Sequence, residues 1–240
     1  MSKIEGKAAV VTGGTRGIGL SIAEALLKRG ARVYVCARKE AEVKEVVGRL
    51  KEAHGASIFG GACDVGRPGD VKSMIEEASR AMGRLDILIN NAGVGSHNEV
   101  ERMPVEEWKA TIDTNLSGLF YCCHEAIPLI RRQGGGYIIN IGSLAGKNAF
   151  AGGAAYCASK FGLIGFSEAL MQELRYDHIR VSYVMPGSVN TGFGRGGGED
   201  LAASWKLQPE DVAEAVVNLI EMDPRALASR VELRPSEPKK

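Results

Sequence analysis

The chain has 240 residues, with Lys+Arg 30 against Asp+Glu 29 and a formal net charge of +1. A charge so near zero argues against a protein that holds nucleic acid or an acidic membrane by bulk electrostatics. A hydrophobic fraction of 45% excludes a disordered chain. Glycine is the outlier, because 31 of 240 residues is about 13% against a usual ~7%. This excess predicts tight turns and close backbone approaches.

The cysteines and the N-terminal segment bear on compartment and metal content. The five cysteines are odd in number and form no C-x-x-C pair, which favours reduced thiols over disulfides or a zinc site. The four histidines show no metal-ligand spacing. The N-terminus lacks the apolar segment of a signal peptide, and no run approaches the ~18 apolar residues of a membrane span. We therefore expect a cytoplasmic protein with no metal.

Short apolar runs alternate with longer amphipathic stretches along the chain. The predicted strands are Ala8–Thr12, Arg32–Cys36, Ser57–Cys63, Asp86–Asn90, Tyr137–Gly142 and Arg180–Met185, with a possible seventh at Ser229–Leu233. The predicted helices are 17–29, 39–53, 68–82, 105–132, 154–176 and 209–222. This alternation predicts one α/β domain over residues 1–235, with a doubly wound parallel sheet of about seven strands and helices on both faces.

Two segments fall outside this pattern. Residues 236–240 form a polar tail, and Gly187–Trp205 contains three successive glycines. Successive glycines are too costly in backbone entropy to hold a helix or a strand by themselves. The segment could be a surface linker or a mobile loop over a substrate site.

A glycine-rich turn follows the first predicted strand and opens the first helix. It reads Thr12-Gly13-Gly14-Thr15-Arg16-Gly17-Ile18-Gly19. Glycines let backbone N–H groups approach a pyrophosphate, and a helix N-terminus favours negative charge. The strand–turn–helix context therefore predicts a dinucleotide site.

The end of the second strand bears on which dinucleotide is bound. Sites that choose NAD carry an acid here, about 20 residues beyond the glycine turn, which binds the ribose hydroxyls. In this chain the end of the second strand has no acid until Glu40, and it has Arg38 instead. Arg38 and Arg16 could form charge-assisted hydrogen bonds to a 2′-phosphate, or both could be ordinary surface charges. The missing acid favours NADP(H) over NAD(H).

A second group of residues carries acid–base chemistry. Tyr156 and Lys160 are four positions apart, so they share one face of the predicted helix. A lysine ammonium about 4 Å from a phenol favours the phenolate by up to ~4 kcal/mol at an effective dielectric of 20. The Tyr156 pKa is then expected to fall by about 3, which would prepare this phenol for general acid–base catalysis.

The motifs together identify a family. TGGTRGIG at 12–19, NNAG at 90–93, Asn115 in DTNLSG, Ser143, YCASK at 156–160 and PGSVNT at 186–191 occur in order. From about residue 5 to 222, the chain resembles the short-chain dehydrogenase/reductase family, in its single-domain "classical", NADP(H)-preferring type. The resemblance implies a Rossmann-type fold and an oxidoreductase.

The resemblance also implies roles for individual residues. Tyr156 would give its proton to a substrate carbonyl oxygen as hydride arrives from the nicotinamide, while Ser143 hydrogen-bonds that oxygen. Lys160 would bind the nicotinamide ribose and lower the Tyr156 pKa, and Asn115 would hold a water that passes protons to Lys160. The remaining cofactor contacts would come from Gly13, Thr15, Arg16, Gly17, Ile18 and Gly19 at the pyrophosphate, Asp64 and Val65 at the adenine, Asn91, Ala92 and Gly93 along the ribose, and Pro186, Gly187, Val189 and Thr191 at the nicotinamide.

Simpler interpretations remain open for three of these residues. Asn115 could cap or kink its helix, Asp64 could cap the helix that follows it, and Ser143 could be a loop serine.

The substrate end departs from the fatty-acid branch of the family. Relatives that reduce 3-oxoacyl thioesters usually end in a V-D-G-G-like segment, whereas this chain ends SRVELRPSEPKK. Phe150, Phe193 and Trp205 are the apolar side chains expected to touch substrate, with His97 a weaker candidate at the mouth. We expect an uncharged, sparsely aromatic pocket that suits a small ketone, aldehyde or diketone.

These observations favour an NADPH-dependent carbonyl reductase, reversibly an alcohol dehydrogenase. A 3-oxoacyl-acyl-carrier-protein-type reductase is the main alternative, and a non-catalytic dinucleotide-binding sensor is an alternative of another class. In the family, the helices predicted at 105–132 and 154–176 usually form a dimer interface, and the second is apolar on more than one face. This predicts a homodimer or homotetramer, although the same pattern could reflect deeper burial within one chain.

Overall fold

The computed structural model describes residues 2–193 and 204–238. Its seven strands are β1 Ala8–Thr12, β2 Arg32–Ala37, β3 Ile58–Ala62, β4 Ile87–Asn90, β5 Gly136–Ile141, β6 Ile179–Pro186 and β7 Arg230–Leu233. They form one parallel sheet in the order β3-β2-β1-β4-β5-β6-β7. The order reverses direction between β1 and β4, which is where open α/β sheets bind ligands.

The helices of the described residues cover both faces of the sheet. They are α1 Gly17–Leu27, α2 Glu40–His54, α3 Pro68–Met82, α4 Val105–Ile112, α5 Gly118–Arg132, α6 Ala154–Leu174 and α7 Pro209–Glu221. Buried residues of α1, α2 and α7 form one core cluster, and those of α3, α5 and α6 form the other. The predicted doubly wound α/β fold is confirmed.

Strand β1 illustrates why its sequence is continuously apolar. Ala8 and Val10 belong to one core cluster, whereas Ala9 and Val11 belong to the other. Successive strand residues face opposite sides of a sheet, so a strand covered on both sides cannot alternate apolar with polar residues.

The helix predicted at 105–132 is not continuous. A π-helical turn at Asp113–Ser117 separates α4 from α5, and the Gly118 N–H donates to the Asp113 carbonyl five residues back. Gly118 packs so closely that a Cβ there would lie 2.8 Å from the Val65 carbonyl oxygen. The extra residue in this turn brings Asn115 into the interior, where π-bulges often serve a site.

Three further features complete the fold. The five cysteines are all buried free thiols. Within residues 2–193 and 204–238, none of the helices has both the length and the apolarity to cross a membrane. The mobile loop predicted at 187–205 falls mostly on residues 194–203, which lie outside the described residues.

Candidate active site

A cleft of about 960 Å³ opens at the carboxyl ends of the strands. Its lining includes every predicted cofactor, catalytic and substrate residue except Gly19 and Asn115. Asn115 instead lines a small adjoining cavity of about 10 Å³. The structure therefore brings together residues that lie far apart in the sequence.

The glycine turn is shaped by close packing at one end of the cleft. Gly13 and Gly17 have φ of 63° and 52°, a region that L side chains rarely adopt. A Cβ on Gly19 would lie 2.3 Å from the Gly13 carbonyl oxygen, so any side chain there would clash with backbone. Gly19 therefore shapes the turn from behind, which is why it does not line the cleft.

The first turn of α1 is prepared for an anion. Arg16 occupies the N-cap position and its side chain makes no capping hydrogen bond. The first N–H groups of a helix have no partner within the helix, so an uncapped first turn presents donors and the positive end of the helix dipole. This is the property expected of a phosphate site.

Asn91 holds the glycine turn in place, a role that differs from the predicted contact with the ribose. Its Nδ2 donates to the carbonyl oxygens of Thr12 and Gly13, at 2.9 and 3.1 Å. The buried Thr12 hydroxyl accepts from the backbone N–H groups of Asn91 and Ala92, each at 3.0 Å. Sequence reasoning did not find this role of Thr12, although a hydroxyl ending an otherwise apolar strand was the available signal.

Positive charge collects beside the end of β2. Arg16 and Arg38 are exposed and line the cleft, and neither has an ion pair within the described residues. Glu42 lines the same cleft, and its carboxylate pairs with Lys39 at 2.7 Å. The hydrogen bond from Lys39 is the main cause of the lowered pKa of Glu42, and the two arginines contribute more weakly. The two guanidinium groups are therefore available to a bound anion.

Asp64 does not cap the helix that follows it. Its Oδ1 accepts from the Gly66 N–H at 3.1 Å, while the N-cap position of α3 is Arg67. The side chain thus closes a short turn after β3, and Asp64 and Val65 line the cleft from there.

Ser143, Tyr156 and Lys160 meet at the other end of the cleft. Ser143 follows β5, its hydroxyl accepts from the Ala145 N–H at 3.1 Å, and it lies close enough to the Tyr156 phenol to affect its pKa. Tyr156 and Lys160 lie in the first two turns of α6, with the Lys160 Nζ 5.8 Å from the Tyr156 ring centroid. The Lys160 Nζ donates to the Ile141 carbonyl at 3.0 Å.

Burial controls the protonation of both groups in the free protein. It raises the pKa of Tyr156, and the nearby Ser143 hydroxyl, which favours the phenolate, only partly offsets this increase. Burial also lowers the pKa of Lys160 from 10.5 to about 8. In the free protein the Tyr156 pKa is raised, not lowered as expected, because burial disfavours the phenolate and because Lys160, whose pKa is lowered to about 8, loses its charge before the phenol titrates.

Asn115 ties three parts of the site together. Its Oδ1 accepts from the Val94 N–H at 2.8 Å, and its Nδ2 donates to the Val94 carbonyl at 2.9 Å and the Ser159 hydroxyl at 3.1 Å. A Cβ on Gly93 would lie 3.3 Å from the Asn115 Oδ1 and 3.9 Å from the Lys160 Nζ. Asn115 thus fixes the loop after β4 against α6, close to Lys160.

The substrate end is more polar than predicted. The Tyr156 and Phe193 rings lie 6.0 Å apart, and His97 stacks on Phe150 at 5.5 Å. Trp205 also lines this region. The expectation of an uncharged pocket is wrong, because Lys206 and Arg234 line the cleft as well. Arg234 belongs to the segment after β7, for which the sequence pattern predicted no contact with the site.

The buried lysine predicts a pH-dependent stability. Because the Lys160 pKa falls to about 8 on folding, the unfolded chain binds more protons between about pH 8 and 10.4. The destabilisation is therefore fully present below about pH 8 and is relieved as the pH rises toward 10.4. The lowered pKa of Lys160 corresponds to a destabilisation of about 3 kcal/mol, at 1.36 kcal/mol per pKa unit. The hydrogen bond to Ile141 offsets about 1 kcal/mol of this destabilisation.

We therefore expect Lys160→Met to raise the free energy of unfolding of the cofactor-free protein by about 2 kcal/mol at pH 7. The gain should shrink as the pH approaches 10. Urea unfolding at several pH values measures both effects, and Lys72→Met, at an exposed position on α3, is the matched control. A variant no more stable than the parent at pH 7 would contradict the argument.

Comparison with known proteins agrees with the geometry. The profile of the short chain dehydrogenase family matches residues 7–201. An uncharacterized oxidoreductase of Staphylococcus saprophyticus is 33% identical over 235 residues, covering 98% of this chain and 100% of the relative. The 3-oxoacyl-acyl-carrier-protein reductase FabG of Salmonella typhimurium is 40% identical over 199 residues, covering 83% of this chain and 80% of the relative.

Two solved structures are similar over nearly the whole chain. A metagenomic short-chain oxidoreductase in complex with NADP has a TM-score of 0.86 and 36% identity, covering 99% of this chain and 100% of that one. An alcohol dehydrogenase of Thermococcus sibiricus complexed with 5-hydroxy-NADP has a TM-score of 0.90 and 26% identity, covering 98% and 99%. The chain therefore belongs to the short-chain dehydrogenase/reductase family and is an oxidoreductase of CH–OH and C=O groups.

Proposed function

We propose that the protein is an NADPH-dependent carbonyl reductase, reversibly an alcohol dehydrogenase, of small ketones, aldehydes or diketones. One observation carries the proposal. A single cleft holds an uncapped helix N-terminus with two arginines at one end, and a hydroxyl, a phenol and a lysine in contact range at the other. The first end suits a phosphorylated dinucleotide, and the second suits proton transfer to a carbonyl oxygen.

The residues present fit the dinucleotide along the whole cleft. The glycine turn, Asp64, Val65 and the segment Asn91–Gly93 would hold its pyrophosphate, adenine and ribose. Pro186, Gly187, Val189 and Thr191 would border the nicotinamide. The bound NADPH supplies hydride to the carbonyl carbon.

The protein's own groups would manage the proton. Tyr156 donates its phenol proton to the carbonyl oxygen, and the Ser143 hydroxyl hydrogen-bonds the same oxygen. Lys160 binds ribose hydroxyls, and in its charged form it stabilises the phenolate that remains. A water held by Asn115 would relay a proton back toward Lys160, as the resemblance implies. Asn90 lines the small cavity beside Asn115, and its Oδ1 has no hydrogen-bond partner among the described residues, so it offers a water there an acceptor.

The two relatives described above do not decide whether the substrate is a small carbonyl compound or an acyl thioester. One is the FabG reductase from Salmonella typhimurium, and the other is an oxidoreductase without an assigned substrate. The segment after β7 favours small carbonyl compounds, because Arg234 and Pro235 line the cleft where the thioester reductases usually carry a glycine-rich end.

NADPH oxidation with a small 1,2-diketone and with an acetoacetyl thioester tests the choice. We expect faster turnover of the diketone. Tyr156→Phe should bind NADPH normally and lose about 10²–10⁴-fold in turnover, the usual loss for a general acid. Faster turnover of the thioester would favour the acyl reductase. Tight NADPH binding without turnover of either compound would favour the non-catalytic sensor.

The preference for NADPH is tested at Arg38. Hydrogen bonds to charged groups contribute about 1.5–3 kcal/mol, so Arg38→Asp should lower kcat/KM for NADPH by about 10–100-fold. NADH has no 2′-phosphate, so its kcat/KM should change little. Lys72→Asp makes the same charge change outside the cleft and should affect neither cofactor. Equal loss with both cofactors would remove the proposed 2′-phosphate contact.

We also propose a homodimer, or a homotetramer built from it, that pairs α5 and α6. Phe120 on α5 and Phe161 on α6 remain 48% and 47% exposed, and the ring of Phe120 lies 6.4 Å from Phe166 of α6. Large apolar side chains grouped on neighbouring helices favour a partner surface. Their exposure in one chain disfavours the alternative that this face is buried within the monomer.

Sedimentation analysis tests the interface. Phe120→Glu combined with Phe161→Glu should convert the assembly to monomers, because two like charges would be buried at the contact. Tyr176→Glu is the control, since Tyr176 is 89% exposed and lies after α6. A double variant that keeps the parent's mass would place the interface elsewhere.

A further inference from the structure

The segment after β7 forms a wall of the cleft. Arg234, Pro235 and Pro238 line it. The Gly187 N–H donates to the Leu233 carbonyl at 2.8 Å. A Cβ on Gly187 would lie 3.5 Å from Pro235 Cδ and 3.1 Å from Leu144 Cδ1, so Gly187 lies between this segment and the residue that follows Ser143. The wall therefore stands at the end of the cleft where the carbonyl group reacts.

Arg234 takes part in a small ion-pair network. Its Nη2 lies 3.3 Å from Glu232, and the Glu232 carboxylate is shared with Lys147 at 2.5 Å. One acid between two bases leaves a net positive charge. The exposed ion pair between Arg234 and Glu232 is weak. It also uses only part of the guanidinium, which has five N–H donors. Arg234 thus keeps donors for another oxygen anion.

Charges are segregated along the cleft. Among the described lining residues the acids are Glu42 and Asp64. Both lie at the end of the cleft that holds the glycine turn, where Arg16 and Arg38 also line it. The charged residues on the other side are Lys160, Lys206 and Arg234. Lys206 precedes Leu207, whose N–H donates to the Ser188 carbonyl at 3.0 Å, beside Gly187. The described lining of the substrate end is thus positive and contains no carboxylate.

We infer that the substrate carries an anionic oxygen group, a carboxylate or a phosphate, which Arg234 binds with help from Lys206. This inference rests on the proposed function and narrows its substrate class from small carbonyl compounds in general to those that carry a carboxylate or a phosphate group. A planar guanidinium matches the paired oxygens of either anion. Binding this group to the wall would direct the carbonyl oxygen toward Ser143 and Tyr156.

Matched pairs of substrates test the inference at saturating NADPH, so that the phosphate end is occupied. The pairs are 4-oxopentanoate with its ethyl ester, and hydroxyacetone phosphate with hydroxyacetone. We expect kcat/KM to favour the anion in at least one pair, and the pair that shows it distinguishes carboxylate from phosphate. Arg234→Gln should lower that anion-to-neutral ratio about tenfold or more, mainly through KM.

Two variants complete the design. Glu232→Gln removes the competing carboxylate and should raise the ratio. Arg225→Gln is the control, because Arg225 pairs with Asp223 after α7 and does not line the cleft. Ratios in the parent that favour the neutral compound in both pairs, or an unchanged ratio in Arg234→Gln, would overturn the inference.

A binding measurement separates this inference from the proposed reaction. The NADP⁺-saturated protein is titrated by calorimetry with pentanoate and phosphate, and with pentanamide as the neutral control. Tighter binding of either anion than of pentanamide, lost in Arg234→Gln, supports the anion site even if no carbonyl compound is reduced. Binding of both anions no tighter than pentanamide overturns the site, even if neutral ketones are reduced.

Discussion

The hydrogen bonds between the end of β1 and the start of the loop after β4 determine the geometry of the whole site. Asn91 donates to the Thr12 and Gly13 carbonyls, and the Thr12 hydroxyl accepts from the Asn91 and Ala92 N–H groups. These contacts fix the glycine turn to the neighbouring strand. Asn115 then fixes the same loop, at Val94, to α6 through the Ser159 hydroxyl. These hydrogen bonds, which the backbone of the loop after β4 joins, therefore connect the phosphate end to the helix of Tyr156 and Lys160, and fixed geometry is what proton and hydride transfer require.

A second buried network supports this arrangement from within the sheet. Asn90 donates to the Asn140 side chain at 2.9 Å, and Asn140 donates to the Ser167 hydroxyl at 2.8 Å, which joins β4, β5 and α6. Buried side-chain amides destabilise a protein unless they are hydrogen-bonded. These hydrogen bonds therefore favour one register of β4 against β5 and one position of α6 on the sheet. Lys160 destabilises the folded protein, since its ammonium is buried and donates a hydrogen bond to the Ile141 carbonyl. Functional residues commonly lower the stability of a protein, and Lys160 lowers that of the cofactor-free protein.

Much of this could be predicted from the sequence because it depends on local rules. The seven strands were recognisable from apolar runs covered on both faces, and the shared helix face of Tyr156 and Lys160 followed from their spacing. The π turn could not be predicted, because the close contact of Gly118 with Val65 that accompanies it joins residues far apart in the chain. The Asn91 role was missed for the same reason, since its partners lie on β1. The Tyr156 pKa was predicted in the wrong direction because a sequence gives charge spacing but not burial, and burial dominates both groups here.

The segment after β7, where we propose that the substrate binds, is constrained differently from the rest of the cleft. The strands and the glycine turn constrain one another through backbone contacts, so their residues have little freedom. The chain beyond Leu233 is held by one backbone hydrogen bond to Gly187 and by packing of Pro235, so its side chains can vary without disturbing the core. Because Gly187 also borders the reacting end of the cleft, a change in this segment alters what meets the substrate while the Ser143, Tyr156 and Lys160 geometry is kept. If the proposed anion site is correct, substrate preference and chemistry are carried by separable parts of the chain, and family membership alone defines only the second.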